Sequence, residues 1–139
     1  MLVYWTDGSA DPNPGPGGWA IIDAKTKEPV KTGSERQTTN IRMEGTAILN
    51  AIKIAIEKDE PLEIHTDSEF WINVLEKWAP TWKRNGWKKS RGEIKNLDLV
   101  QELFELYQNH DVVLIWVKGH ADIELNELAD LAAKSARDS

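Results

Sequence analysis

The chain contains no cysteine. That excludes disulfides and thiolate metal sites and removes any need for an oxidising compartment. No apolar run approaches the ~20 residues of a membrane span, so no membrane partner is expected. The opening Leu2-Val3-Tyr4-Trp5 is too short and too mixed for the apolar region of a secretory signal. A cytoplasmic setting is the expectation. No internal repeat, low-complexity tract or linker interrupts the 139 residues, which make one domain able to bury roughly two-thirds of its unfolded surface. Basic residues are outnumbered, 17 against 23 acids, for a net charge of -6. On its own that argues against a polyanionic partner.

The distribution of charge reverses this reading. Between Trp78 and Arg91 stand five bases, Lys83, Arg84, Lys88, Lys89 and Arg91, and no acid, leaving the remainder near -11. Three of the seven tryptophans, Trp78, Trp82 and Trp87, share that stretch. A basic, aromatic arm of about residues 78–95 on an acidic body is a nucleic-acid contact in outline.

The hydrophobic pattern predicts strands over 2–9, 19–24 and 30–37, with Asp11 to Gly18 a Pro- and Gly-rich loop. This first third reads as an antiparallel meander. Thr38, Thr39 and Asn40 are N-cap candidates for a helix to Lys58, with its apolar stripe on Ala47, Ile48, Ala51, Ile52 and Ala55. A strand over 62–66, a short helix over 68–77, a helix over 96–108, a strand over 112–117 and a closing helix over 122–137 follow. The expected fold is α/β, a five-stranded mixed sheet flanked by helices.

Four carboxylates sit in four separated motifs: Asp7 in Thr6-Asp7-Gly8-Ser9, Glu44 in Arg42-Met43-Glu44-Gly45, Asp67 in Thr66-Asp67-Ser68 and Asp130 in Leu128-Ala129-Asp130. Singly each has an ordinary explanation, as a turn Asp, a helix cap or a solvated helix residue. Jointly they do not, because two of them end strands and Glu44 lies on the inward stripe of a helix, where a charge needs a partner or a metal. Hard divalent cations take such oxygen ligands. The chemistry that uses them is in-line attack of water on a phosphodiester, with two ions roughly 4 Å apart. His120, after Gly119, could shuttle protons or assist product release there. His65 and His110 carry no expected role.

At this point the residues resemble a known family. TDGS, NPGPGG, TTNIRMEG, TDS, the three tryptophans at 78, 82 and 87, WVKGHA and NELAD are similar in order and spacing to type 1 ribonuclease H, from Tyr4 to Ala136. The resemblance implies the ribonuclease H-like three-layer fold. It also implies endonucleolytic cleavage of the RNA strand of RNA–DNA hybrids with two Mg²⁺ ions, or Mn²⁺ in their place, leaving 5′-phosphate ends. Asp7, Glu44, Asp67 and Asp130 would bind the metal, with His120 as the auxiliary catalytic histidine. Asn13 and Asn40 would approach the minor groove, Thr39 and Asn96 would hold a DNA-strand phosphate, and Arg42 would serve structure. Trp78, Trp82, Lys83, Arg84 and Lys88 would grip the DNA strand. Two positions depart from the family pattern. Glu69 stands where a neutral residue, often Gln, is frequent, and Ile41 where Asn or Gln is frequent; both bear on affinity and site preference.

Three other readings compete. A transposase-like phosphoryl transferase would need further DNA-binding domains. A non-cleaving hybrid-binding module would be favoured by a missing acid, and none is missing. An excised reverse transcriptase domain is weighed against by Met1 and the absence of linker remnants, so a stand-alone protein is expected, and a monomer because no separate apolar surface stripe stands out.

Overall fold

The computed structural model describes residues 1–118 and 124–139. Strands β1 (Leu2–Ala10), β2 (Gly15–Asp23) and β3 (Pro29–Thr38) form the meander, followed by helix α1 (Asn40–Lys58) and strand β4 (Leu62–Thr66). Next come α2 (Glu69–Asn73), a π-helical turn (Val74–Trp78) and α3 (Ala79–Arg84), then α4 (Leu97–Gln108), β5 (Val112–Trp116) and α5 (Glu124–Arg137). The sheet order is β3-β2-β1-β4-β5. The meander is antiparallel, and β4 lies parallel to both β1 and β5. The expected five-stranded mixed sheet is the one found.

Side chains alternate across β1 and so divide the core. Tyr4 and Ile21 join Ile48, Ile52, Trp71, Leu103 and Phe104 beneath α1 and α4, while Trp5 and Ile22 meet Ala129 of α5 on the other face. Each fully buried Ile or Leu contributes about 1.5–3 kcal/mol by leaving water. Three layers result, with β1 and β4 central. Thr39 caps α1 by accepting from the Arg42 amide at 3.1 Å, and α1 ends where Asp59 turns left-handed at φ 53°.

Among the described residues, two boundaries differ from expectation by more than one residue. Strand β2 starts at Gly15 rather than near Trp19, because Gly17 and Gly18 serve close approach instead of a turn. A Cβ on Gly18 would lie 2.3 Å from the Ala133 carbonyl and the Arg137 amide of α5. Glycine there lets helix and sheet backbones touch. The helical run after Asp67 also continues past Lys77, through the π-helical turn to Arg84. Pro80, in the first turn of α3, has no N–H to give, and the wider turn accommodates it.

Candidate active site

The parallel register of β1 and β4 pairs Leu2 with Leu62 and Trp5 with His65. Carried two residues on, it sets Asp7 level with Asp67. Strand β4 stops at Thr66 while β1 runs to Ala10, so the chain is notched there. Ser68, not Asp67, caps α2, its hydroxyl accepting from the Trp71 amide at 3.2 Å. Asp67, just before the cap, brings a carboxylate oxygen to the notch.

Helix α1 supplies Glu44. Its approach depends on Gly8, where a Cβ would stand 2.3 Å from the Glu44 amide nitrogen. Gly45 does the same against the Trp71 ring, at 2.5 Å, and the Trp71 indole N–H donates to the Ile41 carbonyl at 2.7 Å. Glycine on either side of the acid thus sets its height above the sheet.

Carboxylate oxygens of Asp7, Glu44 and Asp67 lie within 4.8 Å of one another. Burial first, then the charge of Asp67, lifts the Asp7 carboxyl from 3.8 to about 8, against the Gly8 amide, which donates to it at 2.9 Å. Asp130 and Glu44 add to the rise. Glu44 is pushed up to about 7, again by burial and then Asp67, with a hydrogen bond from Ser68 opposing. Oxygen donors this close hold protons or a cation, since like charges at such distances do not all ionise. The hard, all-oxygen set fits a divalent ion such as Mg²⁺.

Asp130 is placed differently. It stands on α5 near enough to raise Asp7, but it is outside the group of three, and its carboxylate meets Lys134 at 3.0 Å. His120 lies outside the described residues. His65 stacks on Trp5 at 4.5 Å and meets Glu63 at 2.7 Å, and His110 meets the Glu60 carbonyl at 2.7 Å. Both are engaged in contacts within the fold.

The flanking polar residues form a connected chain. Asn13 accepts from the Asn40 amide at 3.2 Å, and Asn40 accepts from the Ala10 amide at 2.6 Å. Arg42 donates to Asn96 at 3.1 Å and grips Asp98 with both terminal nitrogens, at 3.1 and 3.0 Å. It ties the start of α1, at Thr39, to the start of α4, where Asn96 is left-handed at φ 58°. The sequence motif alone did not indicate this contact between helix starts.

In the basic arm, Trp78 is 41% exposed and contacts Phe70 and Trp82, each at 6.1 Å between ring centroids. Phe70, Trp78, Trp82, Lys89, Ile94 and Lys95 line an open, mainly apolar groove of about 400 Å³. Trp87 instead packs edge-on against Phe104. Lys83 is drawn back onto α4, meeting Glu105 at 3.7 Å with its ammonium 5.9 Å from the Phe104 ring centre. Arg84, Lys88 and Lys89 are exposed.

This fold and its acid-lined notch define a phosphodiester-hydrolysing class, and comparison with known proteins is consistent with it. The RNase H family model matches residues 1–138. A ribonuclease H of Jannaschia sp. is 44% identical over 141 residues, covering 96% of this chain and 89% of that protein. LC9-RNase H1, described as a type 1 RNase H with the type 2 active-site motif, has a TM-score of 0.82 at 28% identity, covering 99% of this chain and 72% of that one. A foamy viral protease–reverse transcriptase solved with double-stranded DNA gives 0.85 at 23% identity, covering 98% and 93%, a likeness of fold. The chain belongs to the ribonuclease H family and is an endoribonuclease.

Proposed function

We propose that this chain hydrolyses the RNA strand of RNA–DNA hybrids endonucleolytically by a two-metal-ion mechanism, leaving 5′-phosphate ends. The observation that carries the reading is the gathering of Asp7, Glu44 and Asp67 oxygens within 4.8 Å. Mg²⁺ bound there, or Mn²⁺ in its place, would polarise the phosphate and favour deprotonation of the attacking water. The chain's own residues do the rest. Asp7 and Glu44 hold protons until a cation displaces them, so ion binding releases protons and is favoured by rising pH. Asp130 completes the ligand set from α5, and His120 moves a proton or aids product release.

The substrate contacts in this reading are those the family resemblance implies. Asn13 and Asn40, linked to one another, face the hybrid's minor groove, where 2′-hydroxyls are displayed. Thr39 and Asn96, joined through Arg42, hold a DNA-strand phosphate beside two helix starts. Trp78, Trp82, Arg84 and Lys88 contact the DNA strand, while Lys83 contributes less because Glu105 holds it. The working protein is a cytoplasmic monomer.

The test is cleavage of 5′-labelled RNA offered as RNA–DNA hybrid, duplex RNA and single strand, each with Mg²⁺, Mn²⁺ and chelator. Cutting of the hybrid alone, dependent on metal, is the expected result. Tight hybrid binding without cutting in either metal would overturn it in favour of a binding module.

A further inference from the structure

Asp130 carries a cation from its own helix. Lys134 stands one helical turn later, and its ammonium meets the Asp130 carboxylate at 3.0 Å. The two side chains are 47% and 38% exposed, so the pair can open without a large desolvation cost. Arg137, the next base on α5, donates to Ser9 at 3.0 Å and pairs with Asp138 at 2.9 Å, so it acts on Asp130 through its charge. Asp130 nevertheless lies close enough for its charge to act on Asp7. Three acids form the cluster, while the fourth meets a base four residues along the same helix.

We propose that Lys134 is a positioning residue that competes with the metal for Asp130 and sets how much divalent cation the site needs. This rests on the metal site proposed above. When the cation that uses Asp130 enters, the Lys134 ammonium must leave the carboxylate, and it stays nearby as a like charge. A divalent ion held by Asp130 and an ammonium remaining on the same helix turn would repel enough, in largely aqueous surroundings, to weaken binding on the order of three- to tenfold. The first cation, held by the Asp7–Glu44–Asp67 cluster, is affected less. The device makes occupancy by the second cation the graded step.

The test is calorimetric titration of the whole chain with MnCl₂, without nucleic acid, for the wild type, Lys134→Gln, Lys134→Arg, Asp130→Asn and the Asp130→Asn/Lys134→Gln pair. Lys134→Gln should tighten the weaker Mn²⁺ binding by about three- to tenfold. Lys134→Arg should behave as wild type, and in the Asp130→Asn background the gain should fall to about twofold or less. An unchanged weaker constant in Lys134→Gln, or an equal gain without Asp130, overturns the proposal while leaving the metal site standing. A folded wild type that takes up no Mn²⁺ would remove the metal site, and this proposal with it.

Discussion

The acid notch and the basic arm are built by opposite means. In the notch, position comes from backbone contact: Gly8 against Glu44, a β1–β4 register that levels Asp7 with Asp67, and Gly18 against α5. The arm is held by side chains, Trp78 on Phe70, Lys83 on Glu105, Trp87 on Phe104 and the buried Ile94, with left-handed residues at Gly86, Trp87 and Gly92. Its cations are mostly exposed. Chemistry that depends on the placement of charges uses the rigid part. Grip on a polyanion tolerates a looser one, since long-range attraction asks less of geometry.

The sharpest break in that contrast is Asp7→Asn. Cleavage should fall by about a thousandfold or more, because a ligand and its charge go together. Stability without metal should move the other way. The Asp7 carboxyl titrates at 3.8 when unfolded and at about 8 when folded, so between those values the folded state holds more protons. The wild type therefore loses stability as pH rises from about 4 to about 8, and the loss is complete above that window. Removing the ionisable group should raise the metal-free melting temperature at pH 8 by about 3–8 °C. Added Mg²⁺ should stabilise the wild type and leave the variant nearly unmoved. A variant that melts lower in chelator, or that keeps its activity, would take Asp7 out of the site.

Much of this notch was legible in the sequence. Asp7 closes the apolar run of β1, though the strand itself continues to Ala10, Asp67 follows β4, and Glu44 interrupts an apolar helical stripe, so these signals are local. The helix boundaries around Pro80 and the start of β2 were not, because Pro and Gly mark turns and close packing alike, and only the neighbouring element decides which. Lys134 on Asp130 had the spacing of a solvated i,i+4 pair. What gives that pair weight is the distance from α5 to β1, which no local pattern carries. The Arg42 contact with Asp98 and Asn96 likewise spans helices far apart in the chain.

Gly8→Ala tests whether the notch is set by backbone approach. The added methyl would stand 2.3 Å from the Glu44 amide and the Met43 carbonyl carbon. With only backbone to yield, α1 must shift. The expected cost is about 3 kcal/mol of stability, read by denaturant unfolding. Cleavage should fall by about a hundredfold in the protein that remains folded. Wild-type cleavage in this variant would mean that the acids tolerate a displaced helix.

Neutralising Lys83, Arg84, Lys88 and Lys89 together addresses the arm. Hybrid binding should weaken by roughly tenfold to a hundredfold at moderate salt, with a shallower salt dependence. The rate at saturating hybrid should change little. Lys83→Gln alone should contribute least to the change in slope, since Glu105 already holds that ammonium. An unchanged slope in the quadruple variant would place the DNA grip elsewhere.

The smallest expected effect divides the arm's own tryptophans. Trp78, 41% exposed beside the groove at Lys89 and Lys95, offers a free aromatic face. Trp78→Ala should weaken hybrid binding by about fivefold to tenfold and change unfolding by less than about 1 kcal/mol. Trp87 packs on Phe104 at 6.2 Å, so Trp87→Ala should cost about 2–4 kcal/mol, and its binding loss should follow from loosening the arm. Lowering the temperature should therefore restore hybrid affinity to Trp87→Ala more than to Trp78→Ala. If the two variants respond alike, both rings are anchors, and the arm's hold on nucleic acid is carried by its cations.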